Sequence, residues 1–168
     1  MKTVTTVLIT LILFVGLGIW LIKNDKTPAQ DSILKGELVD LQSATHIDVG
    51  ATHEPYNSNP PTSGPHYAQQ ANWGVYENPL PDEQLIHNLE HGGIWISYKD
   101  IDEQTKSELE IIGRQNPGSV VVTPRANNDS KIALASWGRL QKLDSFNQEE
   151  ILSFIKANIN NSPEKLAD

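Results

Sequence analysis

Five histidines fall at His46, His53, His66, His87 and His91, and the rest of the 168-residue chain has none. Two of them stand four residues apart in the stretch LIHNLEHGGIW, with Glu90 between them and Gly92-Gly93 directly after. On an α-helix, residues i and i+4 lie one above the other on a single face. His87 and His91 can therefore turn toward one cation at a ligand distance of about 2 Å. Neutral imidazole suits zinc, copper, nickel or iron(II). Two histidines alone seldom make a tight site, so a third ligand is required. His66 ends a proline-stiffened loop just before the helix and is the expected third. His53 enters the same loop and is a candidate fourth, whereas His46, at the start of a short strand, is less well placed. The expected cofactor is one copper or zinc ion. The competing structural reading is that histidines at a helix C-terminus favour the dipole and bond the last carbonyls without any metal.

A sharper reading also presents itself. His87-Asn88-Leu89-Glu90-His91 fits H-x-x-E-H, the inverted zinc-peptidase pattern, in which the glutamate activates a metal-bound water. The match has three fixed positions only, and Gly92-Gly93 should end the helix at once. The chain is also short for a peptidase that draws a third ligand from a second half, although Glu103, Glu108 or Glu110 could in principle supply one. A metal-binding protein that is not an enzyme is therefore the first reading. A hydrolase with Glu90 as general base is the alternative, and an envelope scaffold with structural histidines is a third. Ser63, beside His66, lacks the glycine two residues earlier that a nucleophile elbow needs. Thr62 and Ser63 are expected to bond their own loop.

The elements that must hold these residues can be read from periodicity. HIDVG alternates like a short strand. EPYNSNPPTSGPHY, with Pro55, Pro60, Pro61 and Pro65, is neither helix nor central strand. A loop that long in a small domain is expected to be ordered and functional. PDEQLIHNLEHGG reads as a helix: Pro81 suits its first turn, Asp82 and Glu83 its positive end, and Gly92 its left-handed stop. GIWISY follows as a strand. DIDEQTKSELEIIGRQ is a second helix, with Asp100 and Glu103 at capping-box spacing. SVVVTP and KIALASWG are strands expected to form a hairpin across RANNDS, and RLQKLD extends the sheet. NQEEILSFIKANI is the last helix, capped by Asn147 with Glu150 at N3. The result is an α+β fold: a single compact domain with a mainly antiparallel sheet and about three helices.

Residues 3–22 carry no charge. As a helix they would span roughly 30 Å, the thickness of a bilayer core. No A-x-A cleavage site follows, so the segment reads as an uncleaved N-terminal transmembrane helix, a signal anchor, and not as a removed signal peptide. The expected organisation is an anchor at 1–23, a tether at 24–45 with a short helix near 33–41, an extracytoplasmic domain at 46–163, and a tail at 164–168. This places the protein in the cell membrane, single-pass. Past residue 24 the chain carries 11 basic residues against 21 acids. An acidic surface of this kind repels phosphate backbones, so nucleic acid is not an expected partner. The absence of cysteine removes disulfides, thiolate metal sites and cysteine nucleophiles together.

Four stretches, YNSNPPTSGPHY, NWGVYENPLP, HNLEHGG and ALASWGRL, occur in this order. Together they resemble the bacterial and archaeal domain-of-unknown-function 3105 family, over roughly His46 to Pro163. The matching positions include Pro60 to His66 and His87, Glu90, His91, Gly92 and Gly93. The resemblance implies one N-terminal membrane segment and an outward-facing domain, and it supplies no activity.

Overall fold

A computed structural model describes residues 34–165. The expected transmembrane helix falls outside these residues. Among them, no helix is long and apolar enough to cross a membrane. The compact unit runs from Lys35.

Alternation along the strands sets the architecture. In β5 (Ile94–Tyr98), Ile94, Ile96 and Tyr98 point to one face and Trp95 and Ser97 to the other, since strand side chains alternate with period two. β6 (Val120–Pro124) and β7 (Ile132–Ser136) repeat the pattern, with Val120, Val122, Ile132 and Leu134 on the first face and Val121, Ala133 and Ala135 on the second. The first face is covered by α2 (Glu103–Gln115) and α3 (Gln148–Asn158), through Leu109, Ile112, Ile151, Phe154 and Ile155. The second is covered by α1 (Asp82–Glu90), through Leu85, Ile86 and Leu89, together with Tyr56 and Trp73.

The six-stranded sheet is completed by β1 (Glu37–Leu38), β4 (Gly74–Val75) and β8 (Arg139–Leu143), in the order β1-β8-β7-β5-β6-β4. The pairs β1–β8, β8–β7 and β7–β5 are antiparallel, while β5–β6 and β6–β4 are parallel. The sheet is thus mixed and mostly antiparallel, and the domain is α+β as expected. A separate parallel pair is formed by β2 (His46–Ile47) and β3 (His66–Tyr67).

Three local expectations are corrected. β6 and β7 do not form a hairpin, because β5 lies between them. The crossover through α2 makes β6 parallel to β5. The 125–131 segment then bridges the end of β5, with Arg125 N–H donating to Tyr98 O and Lys99 N–H to Lys131 O. The hairpin in the sheet is β7–β8, turned at Trp137-Gly138, with Gly138 at φ +69°. Second, α2 is capped by Asp102, whose carboxylate accepts from Thr105 N at 2.7 Å, and not by Asp100. Asp100 lies at φ +49°, outside the helix. Third, the stretch expected to be a short helix near 33–41 carries β1 instead. Gly36 breaks it at φ +83°, where a Cβ would meet Leu140 O and the Phe154 ring, both at 2.8 Å. Residues 35–45, read from sequence as tether, are tied down: Asn158 donates to Lys35 O, and Gln42 N–H donates to Ser63 Oγ. The Asn147 cap stands as read, exchanging bonds with Glu150 in both directions.

Candidate metal centre

α1 carries the first half of the site. Its start is fixed by Arg125, which donates Nε and NH2 to the two carboxylate oxygens of Asp82 at 2.8 and 2.6 Å. Its apolar side is buried against the sheet. Buried Asn88 fastens the preceding loop, accepting from Ala71 N–H at 3.0 Å and donating to Ala71 O at 2.9 Å. The helix does stop at Glu90, with Gly92 at φ +86°. His91, as the residue that caps it, nevertheless keeps its place one turn above His87. Its N–H bonds His87 O at 3.1 Å, and the two rings stack 4.8 Å apart at 8°. The glycines are needed for close approach: a Cβ on Gly93 would strike the Trp73 indole, and one on Gly92 would lie 2.9 Å from Asn160.

The second half comes from the small parallel pair. Tyr56 OH donates to Pro65 O at 2.7 Å, and Gly138 N–H donates to Thr62 O at 3.2 Å. These bonds hold the proline-rich loop so that fully buried His66 faces α1. The β2–β3 register sets His46 directly opposite His66. Ring centroids of His46, His66 and His87 lie 4.9–5.1 Å apart.

The ring nitrogens decide the chemistry. His66 Nδ1 lies 2.8 Å from Gly64 O, and His87 Nδ1 lies 2.6 Å from Tyr67 O. A carbonyl only accepts, so both Nδ1 atoms carry the proton, and both Nε2 atoms of the neutral rings present lone pairs. His91 Nδ1 sits 3.3 Å from the exposed Glu164 carboxylate. The Nε2 atoms of His66 and His87 then meet a carboxylate and a second imidazole. His87 Nε2 is 2.9 Å from His91 Nε2, and His66 Nε2 is 2.9 Å from Glu90 Oε2. The latter approach is misaligned for a hydrogen bond, so buried His66 Nε2 has none despite the short distance. A proton or a cation between His66 Nε2 and Glu90 would satisfy that pair. Fixing one ring nitrogen on an oxygen while the other faces the metal is how ligating histidines are normally held.

One ligand atom each from His46, His66 and His87 lies within 4.8 Å of the other two. Two nitrogens on one ion are about 3.3 Å apart at the tetrahedral angle and about 2.9 Å apart at a right angle. The set therefore closes on an ion with modest ring shifts, and these three histidines could hold a metal. Glu90, 7% exposed, adds a carboxylate beside His66, and its Oε2 is 4.0 Å from His46 Nε2. Burial pushes the His87 pKa below the usual imidazole value, and the neighbouring His66, His91 and His46 push the same way, against the Tyr67 carbonyl bond. The neutral, ligating form is favoured at neutral pH.

Of the residues expected from sequence, His66 and His87 come into one cluster, with His91 beside His87 and Glu90 beside His66. His53 is not. Its Nε2 pairs with Glu83 at 3.3 Å and its Nδ1 with Glu54 O at 2.7 Å. Glu83 precedes His91 by eight helix positions, which is roughly 12 Å along the axis. His46 takes the place given to His53. Asn88 and Glu164 were not singled out from sequence either, because both act through backbone or tail contacts that spacing does not encode.

The DUF3105 family, described as proteins of unknown function, matches residues 48–168. The chain belongs to this family. The matched stretch contains His66, His87, Glu90 and His91, while His46 lies just before it. No curated protein matches, and no solved structure does. The functional reading of this DUF3105 member therefore comes from its own side chains.

Proposed function

We propose that the protein is a membrane-anchored extracytoplasmic domain that binds one transition-metal ion, copper or zinc, through His46, His66 and His87, with His91 and Glu90 flanking them. What carries the reading is the disposition of protons. His66 and His87 are pinned through Nδ1 on backbone carbonyls, and one ligand atom each from these two and His46 lies within 4.8 Å of the others, beside the buried Glu90 carboxylate. The charge-free run at 3–22 supports the anchor. Carbonate extraction and external protease would test it: release by carbonate, or protection of the domain in intact cells, would remove that part.

For the metal, the full-length chain loaded with copper(II) or zinc(II) and desalted should hold one equivalent by elemental analysis. His87→Ala should lose it, with affinity falling by more than about 100-fold, since changing mere supporting partners of ligands already gives 10–100-fold. A wild-type chain with no bound ion would end the proposal. Glu90 favours a second reading, a metal-dependent hydrolase, because its carboxylate stands within reach of a metal-bound water. That reading expects chelator-sensitive hydrolysis that vanishes in Glu90→Gln while the ion is retained.

A further inference from the structure

We infer that His46 is the exchangeable ligand of this centre, the position at which the ion passes to or from a partner that offers its own imidazole or thiolate. The inference rests on the metal-centre reading above and adds a direction of traffic to it.

The ligands differ in access and in restraint. The His46 side chain is 55% exposed, against 0% for His66 and 9% for the Glu90 carboxylate. His66 and His87 are each held by a backbone carbonyl on Nδ1. Among the described residues His46 has no such bond. Its ring is set by an edge contact to His66, a stacked contact to His87, and Glu90 at 4.0 Å. The backbone beneath it is equally lightly held. β2 is two residues long, its neighbours from Ser43 to Thr45 and from Asp48 to Gly50 are exposed, and Gly50 takes φ +82°. A cleft of about 330 Å³ lined by Ile47, Asp48, Val49 and Tyr67 opens beside this strand.

Ligand exchange at such a centre is associative and redox-neutral. An incoming donor forms a bond to the ion, the bond to His46 Nε2 breaks, and the imidazole leaves neutral toward solvent. Departure of His66 or His87 would instead strand a buried ring whose other nitrogen is already committed, leaving an unpaired polar group inside the protein. The only cheap exit is therefore on the His46 side.

The test uses the full-length chain, zinc(II) and a pyridylazo-resorcinol chelator as acceptor, with cobalt(II) as the spectroscopic probe. His46→Ala should still bind one ion per chain and surrender it about tenfold faster or more. Exogenous imidazole should restore slow release and the cobalt(II) spectrum in His46→Ala. It should do neither in His66→Gln, kept as the buried comparison after circular dichroism shows it folded. Loss of all binding in His46→Ala while the wild type binds would overturn the inference and leave the metal centre standing. So would imidazole rescue that is equal at both positions, or absent from His46→Ala. A wild-type chain that takes up no ion would remove both readings at once.

Discussion

The two faces of the sheet are built from the same strands and serve different ends. The face under α2 and α3 is filled by Ile94, Ile96, Val120, Val122, Ile132, Leu134 and Phe154. The face under α1 replaces that series with Trp95, Val121, Ala133 and Ala135, and above these it buries Thr62, Ser63, His66, His87, Asn88 and Glu90. The small alanines leave room for a helix and a folded loop to carry polar groups out of water. Burying polar groups lowers stability unless they are paired. The α1 face offsets part of that loss through Asn88 and the Nδ1 bonds, and it leaves the buried Thr62 Oγ1, Trp137 Nε1 and His66 Nε2 without a partner. The comparison teaches that apolar packing and the histidine cluster are segregated across one sheet.

The segregation can be broken in a definite order. Phe154→Ala, on the apolar face, should lower unfolding free energy by about 3–5 kcal/mol in denaturant titration, while the folded fraction still takes up one ion with unchanged affinity. If ion affinity fell in step with stability, the two faces would not be independent. Gly93→Ala acts on the other face and should affect both properties. Its Cβ meets Trp73 and lies 2.9 Å from Asn88 O. Stability should fall by about 1–3 kcal/mol, and ion uptake should weaken too, because α1's end and His91 must move. The smallest change is Glu164→Gln, on an exposed side chain. It should leave the melting temperature alone and reduce ion affinity by about tenfold, through looser orientation of His91. An unchanged affinity in calorimetry would mean that the 3.3 Å contact does not position the ring.

Much of the α1 half of the site was legible because it is local. His87 and His91 are related by helix geometry alone, and Pro81, Asp82 and Gly92 mark the helix ends. The stop expected at Gly92-Gly93 is found as well. The helix ends where foreseen, yet the next residue still stands over His87. His66 was legible because four prolines stiffen its loop. His46 was not, because a two-residue parallel ladder leaves no periodicity to read, and its partner is twenty residues away. The fold class followed from counting elements. The strand order did not, because RANNDS looks like a hairpin turn in sequence and only the position of β5 forbids it. Asp100 was chosen as a cap by spacing, and Asp102 takes the role because the chain at Asp100 turns left-handed first.

The segment after α3 has a consequence for the end of α1. Asn160 N–H donates to Gly92 O, Glu164 N–H donates to Glu90 O, and the Glu164 carboxylate reaches His91. The residues after α3 thus return across the sheet domain to reach Glu90, His91 and Gly92. Residues 160–164 thus act as a strap over the end of α1, and whatever loosens that strap frees the His91 ring to turn away from His87.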